Sequence, residues 1–494
     1  MIDAAVSSTV RPTVGPPATS AWSTRTLLAI GAALIVLAAY RWSVGLAVWL
    51  APVPFLLVLR RSARWRDRLV VLGVIVLATI AQVGKIITDP IPWVLVVPFA
   101  LPSALSAWLV VVAADAIRRR RGELAGVLGF VAVTGLGEWL TFAHSPLGLW
   151  GTAASAQTTN LPLLQLASLV GPAGIGMVVA AVPAALASVL AEPLARDRRR
   201  TALVVAVAVG AVHAWGAIRL FAPLPGPTVR VAAIVTDVGP GADGLPDAAA
   251  LAANTDTLFA RTAVAAARGA QVVVWNEAAT VVEPAEEPAL IARGRAAAVA
   301  HQLDLVMAYG VVVERSPIRY DNKYVWFGPD GVIVETYRKH HPVPGEPSLR
   351  GTAPLLAHTR PWGRGAGAIC YDYDFPSVAR AHGRLGAGLV VVPSSDWRGI
   401  DPYHTELARV GAISGGFAVV RPVRWATSAA FDAYGRTRAT MASREDNDRI
   451  MIATVPVTPV PTLYARLGDT PLVVINLMVL GGVGLIGRRR RRRP

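Results

Sequence analysis

Three side chains of unlike chemistry stand where apolar runs give way to polar turns. Glu277 ends AQVVVWNE, Lys339 follows VIVETYR, and Cys370 follows GAGAI. Cys370 is the only cysteine in 494 residues. A thiol is mostly protonated at neutral pH, so a carboxylate that accepts its proton turns it into a nucleophile. An ammonium beside the pair stabilises the oxyanion that forms when a thiolate attacks a carbonyl. Each residue alone also fits a plainer role. Free cysteine is among the most buried residue types, and Glu277 and Lys339 could be solvated strand ends, the latter within the Arg338–His341 cluster.

A nucleophile needs a rigid element behind it and an open loop in front. Ala366–Ile369 reads as the strand that delivers Cys370, and Tyr371–Asp374 as the turn that exposes it. The surrounding sequence alternates between strand and helix periods. Strands are expected at Val229–Val235, Ala270–Trp275, Leu303–Val313, Lys323–Phe327, Val332–Tyr337, Gly388–Pro393, Phe417–Val423, Ser428–Asp432 and Ile450–Val455. Helices are expected at Ala248–Arg268, Pro288–His301 and Tyr403–Ser414. This mixture implies an α/β layered sandwich over residues 229–457, entered through the Pro/Gly linker 221–228.

The rest of the chain is of another kind. Hydrophobic residues make up 53% and charged residues 16%, with a mean hydropathy of +0.47, too apolar for an ordinary soluble enzyme. Spans are expected at Thr26–Tyr40, Ser43–Leu59, Leu69–Ile87, Ile91–Ile117, Leu124–Leu140, Gly174–Leu190, Thr201–Leu220 and Pro471–Gly487. That makes a multi-pass membrane domain of seven helices over 26–220 and one more over 471–487. Residues 1–25 are expected to be a disordered tail and 488–494 a basic one.

The net charge of +16 sits largely in arginine clusters beside the apolar runs. They are Arg60 to Arg68, Arg118–Arg121, Arg198–Arg200 and Arg488–Arg493. No nucleic-acid motif accompanies them, so nucleic-acid binding is set aside. Clusters after spans two, four, six and eight place those loops in the cytoplasm, which puts residues 221–470 on the extracytoplasmic face.

Local sequence around the three polar residues resembles the nitrilase superfamily, and the flanking spans narrow the resemblance to the apolipoprotein N-acyltransferase family. Trp275–Ala279 is similar to that family's W-P-E-x-A, Tyr337–Glu346 to its Y-x-K-x-H-L-V-P-F-G-E loop, and Ile369–Tyr371 to its I-C-Y-E segment. Leu50–Pro54, Gly137–Leu140 and Leu161–Gly176 also resemble it, so the likeness runs over residues 26–487. It departs at Asn276 in place of proline, at Asp372 in place of glutamate, and at the missing phenylalanine of V-P-F-G-E. Ser414 stands where the superfamily often has a second glutamate, and Ser395-Asp396-Trp397 is only loosely similar to N-D-x-W.

The resemblance implies an αββα catalytic sandwich with a Glu277–Lys339–Cys370 triad. It implies transfer of an acyl chain from a membrane phospholipid, through a thioester on Cys370, to the N-terminal amine of a diacylglyceryl-modified lipoprotein, in a bacterial cytoplasmic membrane. Glu346, Tyr371, Trp397, His404 and Glu138 are candidates to support or orient the reacting groups. Segments 281–287, 341–350 and 397–403 are candidate lids. His340 and His341 are expected to be solvated, and neither a metal nor another cofactor is expected. The competing readings are a membrane-tethered amidase, with water resolving the thioester, and an inactive lipoprotein-binding scaffold.

Overall fold

The computed structural model describes residues 22–239 and 244–490, with side chains through residue 484. Most of the expected N-terminal tail, and the side chains of Arg488–Arg493, lie outside the described residues. Among the described residues, five helices are long and apolar enough to cross a membrane: Trp65–Gly84, Trp93–Arg121, Glu123–His144, Pro172–Ala191 and Arg196–Phe221. Thr24–Ala38, Leu161–Val170 and Thr470–Gly484 are shorter apolar helical stretches.

The expected span Ser43–Leu59 is not one helix. It divides into Ala47–Leu50 and Pro52–Arg61. Pro52 and Pro54 lack the N–H groups that would bond back across the junction. The ten-residue second piece is about 15 Å long, half the hydrocarbon thickness, and Val53 to Leu59 are all buried against neighbouring helices.

Arginines from three different helices meet at one face of the bundle. Glu123 accepts ion pairs from Arg60 at 2.8 Å, Arg118 at 3.3 Å and Arg198 at 3.9 Å. Asp115 takes Arg118 and Arg119 at 2.6 and 2.8 Å. These groups sit at the C-terminal end of the Val96–Arg121 helix, whereas Leu95 and Phe99 at its other end wall the cavity at Cys370.

The sandwich is built of two sheets whose side chains alternate between two cores. The first sheet runs Ile450–Pro456, Thr228–Ile234, Val272–Trp275, Asp304–Arg315, Ile318–Phe327, Ile333–Arg338. The second runs Thr437–Ala442, Thr427–Phe431, Ala418–Arg421, Leu389–Val391, Gly363–Gly367, His358–Arg360. Val229, Val231, Ala233, Val272, Val274 and Val306 face inward, toward Ala366, Leu389, Val391 and Val419. Ala232, Ile234, Val273, Trp275, Leu305 and Met307 face outward, under the helices Ala248–Ala267 and Glu287–His301. The two-residue period of a strand produces this division directly. Helices Pro376–Arg384 and Tyr403–Gly415 pack beside the second sheet, completing an αββα sandwich.

Glycine is required on the strand behind Cys370. A Cβ at Gly365 would meet the Trp326 ring at 2.4 Å, and one at Gly367 the Tyr324 hydroxyl at 2.5 Å. The facing sheet thus lays two aromatic rings over a bare stretch of backbone. The strand ends at Gly367, two residues before the expected Ile369.

Candidate active site

Each of the three polar residues comes from the C-terminal end of a strand. Glu277 follows Val272–Trp275, and its N–H donates to the carbonyl of Ser394 at 3.3 Å, tying the two sheets together. Asn276, where the resemblance expects proline, accepts from the Thr236 N–H at 3.0 Å and donates to the Glu277 carbonyl at 3.0 Å. Lys339 follows Ile333–Arg338, its backbone fixed by Asn322 at 2.9 Å and Gly351 at 2.7 Å. Cys370 opens a 3₁₀ turn, with its N–H on the Pro393 carbonyl at 2.9 Å. Its φ of +48° is the left-handed conformation that side chains resist, held here by the surrounding bonds.

The side chains converge below the surface, with Glu277 4%, Lys339 1% and Cys370 3% exposed. The Lys339 ammonium donates to Glu277 Oε1 at 2.8 Å and to Glu346 Oε2 at 2.7 Å. Asn322 Nδ2 bridges the same two carboxylates at 2.7 and 3.0 Å. Glu346 also accepts the Val343 N–H at 2.9 Å. Burial alone would lower the lysine pKa, but the charges of Glu277 and Glu346 outweigh it and hold the group firmly protonated. Burial would raise Glu346, and Lys339 reverses that, so it rests as a carboxylate. Cys370 is pushed well up, first by burial and then by the Glu277 charge, with Lys339 opposing. The resting site therefore holds an ammonium, the Glu346 carboxylate and a neutral thiol, so attack by that thiol would require a base to take its proton.

A second charged set lies beside the cysteine. His404 bonds Asp396 Oδ1 through Nδ1 at 2.8 Å and Asp374 Oδ2 through Nε2 at 2.9 Å. Arg421 grips both Asp396 oxygens at 3.0 Å. Burial opposes the imidazolium, but Asp374 and Asp396 raise its pKa to about 9. Cys370, Asp396 and His404 offer potential metal-ligand atoms within 4.8 Å of one another. Both ring nitrogens and both Asp396 oxygens are already engaged within the set, so it does not fit a cation.

The membrane bundle supplies the other wall. A cavity of about 60 Å³ is bounded by Cys370, Tyr371, Ser395, Trp397 and His404 on one side and by Val83, Ile86, Leu95 and Phe99 on the other. Trp397 donates its indole N–H to the Ile86 carbonyl at 2.6 Å, and Tyr371 donates its hydroxyl to the Pro146 carbonyl. Trp150 donates to Asp374 Oδ2 at 2.7 Å.

Comparison with known proteins bears on both halves. The carbon-nitrogen hydrolase family matches residues 231–460, and the apolipoprotein N-acyltransferase N-terminal domain matches residues 31–185. An apolipoprotein N-acyltransferase of Bradyrhizobium diazoefficiens is 29% identical over 80% of this chain and 79% of its own length. Another, from Gloeobacter violaceus, is 27% identical over 91% and 92%. Along most of its length the chain is similar to apolipoprotein N-acyltransferases. Among solved structures, an amidase from Nesterenkonia sp. aligns at 18% identity and a TM-score of 0.41, over 50% of this chain and 96% of its own. That likeness is too distant to bear on the reaction.

The site sorts as follows. Glu277, Lys339, Cys370 and Glu346 come together, and Tyr371, Trp397 and His404 line the same cavity. Glu138 does not join them. It lines a separate cavity of about 300 Å³ inside the bundle, accepting the Ala153 N–H at 2.9 Å. His341 is not simply solvated. It bonds Asp372 through backbone and ring and stacks on Phe375 with centroids 4.1 Å apart. Ser414 lies inside the Tyr403–Gly415 helix, bonded to the Gly411 carbonyl, and the second carboxylate at Lys339 is Glu346. Asn322, Asp374, Asp396 and Arg421 were not anticipated as site residues. Asp396 had a signal in the loosely family-like Ser395-Asp396-Trp397, and Arg421 had none.

Proposed function

We propose that this protein transfers an acyl chain from a membrane phospholipid to the N-terminal amine of a lipidated lipoprotein, with Glu277, Lys339 and Cys370 as the reacting groups. Residues 26–220 and 471–487 would form the membrane part and 229–457 the catalytic domain. The observation that carries this reading is the cavity at Cys370, much of whose wall comes from helix ends and connecting segments of residues 26–220. An ester carbonyl reaches that sulfur with its chain still among apolar side chains. Drawing a long chain into water would cost on the order of 10 kcal/mol, at ~0.8 kcal/mol per CH₂.

In the first step Glu277 accepts the Cys370 proton as sulfur attacks the ester carbonyl. Lys339 Nζ stabilises the oxyanion. Collapse breaks the C–O bond, and the departing alkoxide takes the proton from Glu277, leaving a lysophospholipid and a thioester. In the second step the acceptor amine attacks the thioester carbonyl, gives a proton to Glu277, and expels the thiolate, which recovers it. Glu346 and Asn322 hold Lys339 and Glu277 in register. The cavity is too small for an acyl chain as it stands, so part of its wall must move on binding. The extracytoplasmic placement is supported by the arginines collected at the far end of the bundle.

The test is to incubate the purified protein with labelled phospholipid and look for a hydroxylamine-sensitive adduct on Cys370. Discharge by an N-terminal cysteinyl lipopeptide is the expected result. Discharge by water alone, releasing fatty acid, would make the protein a hydrolase instead.

A further inference from the structure

A second, more open cavity of about 690 Å³ adjoins the first, and Tyr371 lines both. Two helix ends meet at its rim. The Glu123–His144 helix brings Trp139, Phe142 and His144, and Tyr464 and Asp469 precede the Thr470–Arg490 helix. Aromatic residues at the ends of membrane helices mark the headgroup level, so this cavity opens where lipid phosphates lie. Its charge is cationic. Arg350 and Arg380 line it, with His144, His340 and His341, against the single carboxylate of Asp469. Asp469 offsets Arg380 only at 3.7 Å, and His341 is already committed to Asp372. The exposed Arg350 has no hydrogen bond or ion pair among the described residues. The Pro376–Arg384 helix also begins in this wall, turning its positive end toward it.

We infer that this cavity binds a phosphate diester, the headgroup phosphate of a glycerophospholipid, with Arg350 and Arg380 as its principal contacts. This deepens the acyl-transfer reading and rests on it for its biological sense. In such a lipid the phosphate and the ester carbonyls are joined through one glycerol. A phosphate held beside Tyr371 therefore sets a carbonyl on the Cys370 side of that ring. Arginine suits the task because its planar fork matches two phosphate oxygens at once.

The test measures binding apart from catalysis. The full chain in detergent is titrated with dioctanoyl phosphatidylglycerol and, separately, with dioctanoylglycerol, and bound lipid is counted by native mass spectrometry. The Arg350→Gln/Arg380→Gln double variant is expected to lower the phosphatidylglycerol-to-dioctanoylglycerol affinity ratio about tenfold or more, as loss of two surface cations facing a lipid phosphate implies. Arg350→Gln alone should move it in the same direction by less, and it disturbs no internal partner if the double variant fails to fold. An unchanged ratio in Arg350→Gln, or an equal loss for both lipids, overturns the site. Inorganic phosphate is the second arm. Displacement of phosphatidylglycerol by millimolar phosphate means the pocket takes phosphate from either source, and no displacement means it takes only the lipid-borne diester. Failure of Cys370 to acquire an acyl group would count against the acyl-transfer reading and leave this binding result standing.

Discussion

Glu277 and Glu138 are both withdrawn from bulk water, and their surroundings differ in the respect that matters for chemistry. Glu277 shares a lysine and an asparagine with a second carboxylate, near a thiol that lines a cavity of about 60 Å³. Glu138 lines a cavity of about 300 Å³, with one oxygen on a backbone N–H and the other without a partner among the described residues. That free oxygen lies against Gly176, where a Cβ would approach it to 2.1 Å. The proposed reaction centre is the tighter one, where charges of both signs gather near one sulfur. Volume alone is a poor guide to a reaction centre.

The comparison can be broken most severely at the sulfur. Cys370→Ala should abolish the hydroxylamine-sensitive adduct, with acyl transfer down by about 10³-fold or more, the scale of removing a nucleophile. Residual transfer near the wild-type level would remove Cys370 from the reaction. Lys339→Met comes next, because it leaves Glu277 and Glu346 facing each other without a cation. Removing one partner of such a buried group costs about 3–5 kcal/mol, so a lowered unfolding temperature should accompany lost transfer, and an unchanged one contradicts the pairing.

His404 offers a pH test. Its pKa is raised to about 9 from an ordinary 6.5, so folding binds its proton. The stabilisation is complete below the unfolded value and is lost as pH rises from about 6.5 to about 9. Thermal unfolding across that window should show a fall of a few kcal/mol attributable to this group, and His404→Gln should flatten it. Equal slopes in the two proteins would mean that His404 is neutral in the fold. The smallest effect belongs to Glu138→Gln. The amide keeps an oxygen for the Ala153 N–H, so a stability change within about 1 kcal/mol is expected, with adduct formation at Cys370 close to wild type. A large loss of adduct would erase the contrast between the two carboxylates.

How far the sequence could be read follows the range of the forces involved. Glu277, Lys339 and Cys370 were legible because each ends an apolar run at a polar turn, a pattern set by a few neighbouring residues. The period-two alternation of the strands was legible for the same reason. Asn322 and Arg421 were not, since their work lies in bonds to residues 45 and 25 positions away. The arginine clusters could be placed along the chain, but not their meeting at Glu123. Hydropathy read Ser43–Leu59 as one span because it weighs side chains and is blind to the two N–H groups that proline withholds. The end of the Cys370 strand was misplaced by two residues, because the left-handed turn at Cys370 is imposed by tertiary bonds.

The indole of Trp150 reaches Asp374, that of Trp397 reaches the Ile86 carbonyl, and the Tyr371 hydroxyl reaches Pro146. These ties make the sandwich and the bundle a single working part. Cutting the chain at the Pro/Gly linker would strand Asp374 and both aromatic donors at once, and would open the greasy half of the cavity around the sulfur to water. An isolated 229–457 fragment would thus carry every reacting group and still lack the chamber that shelters them.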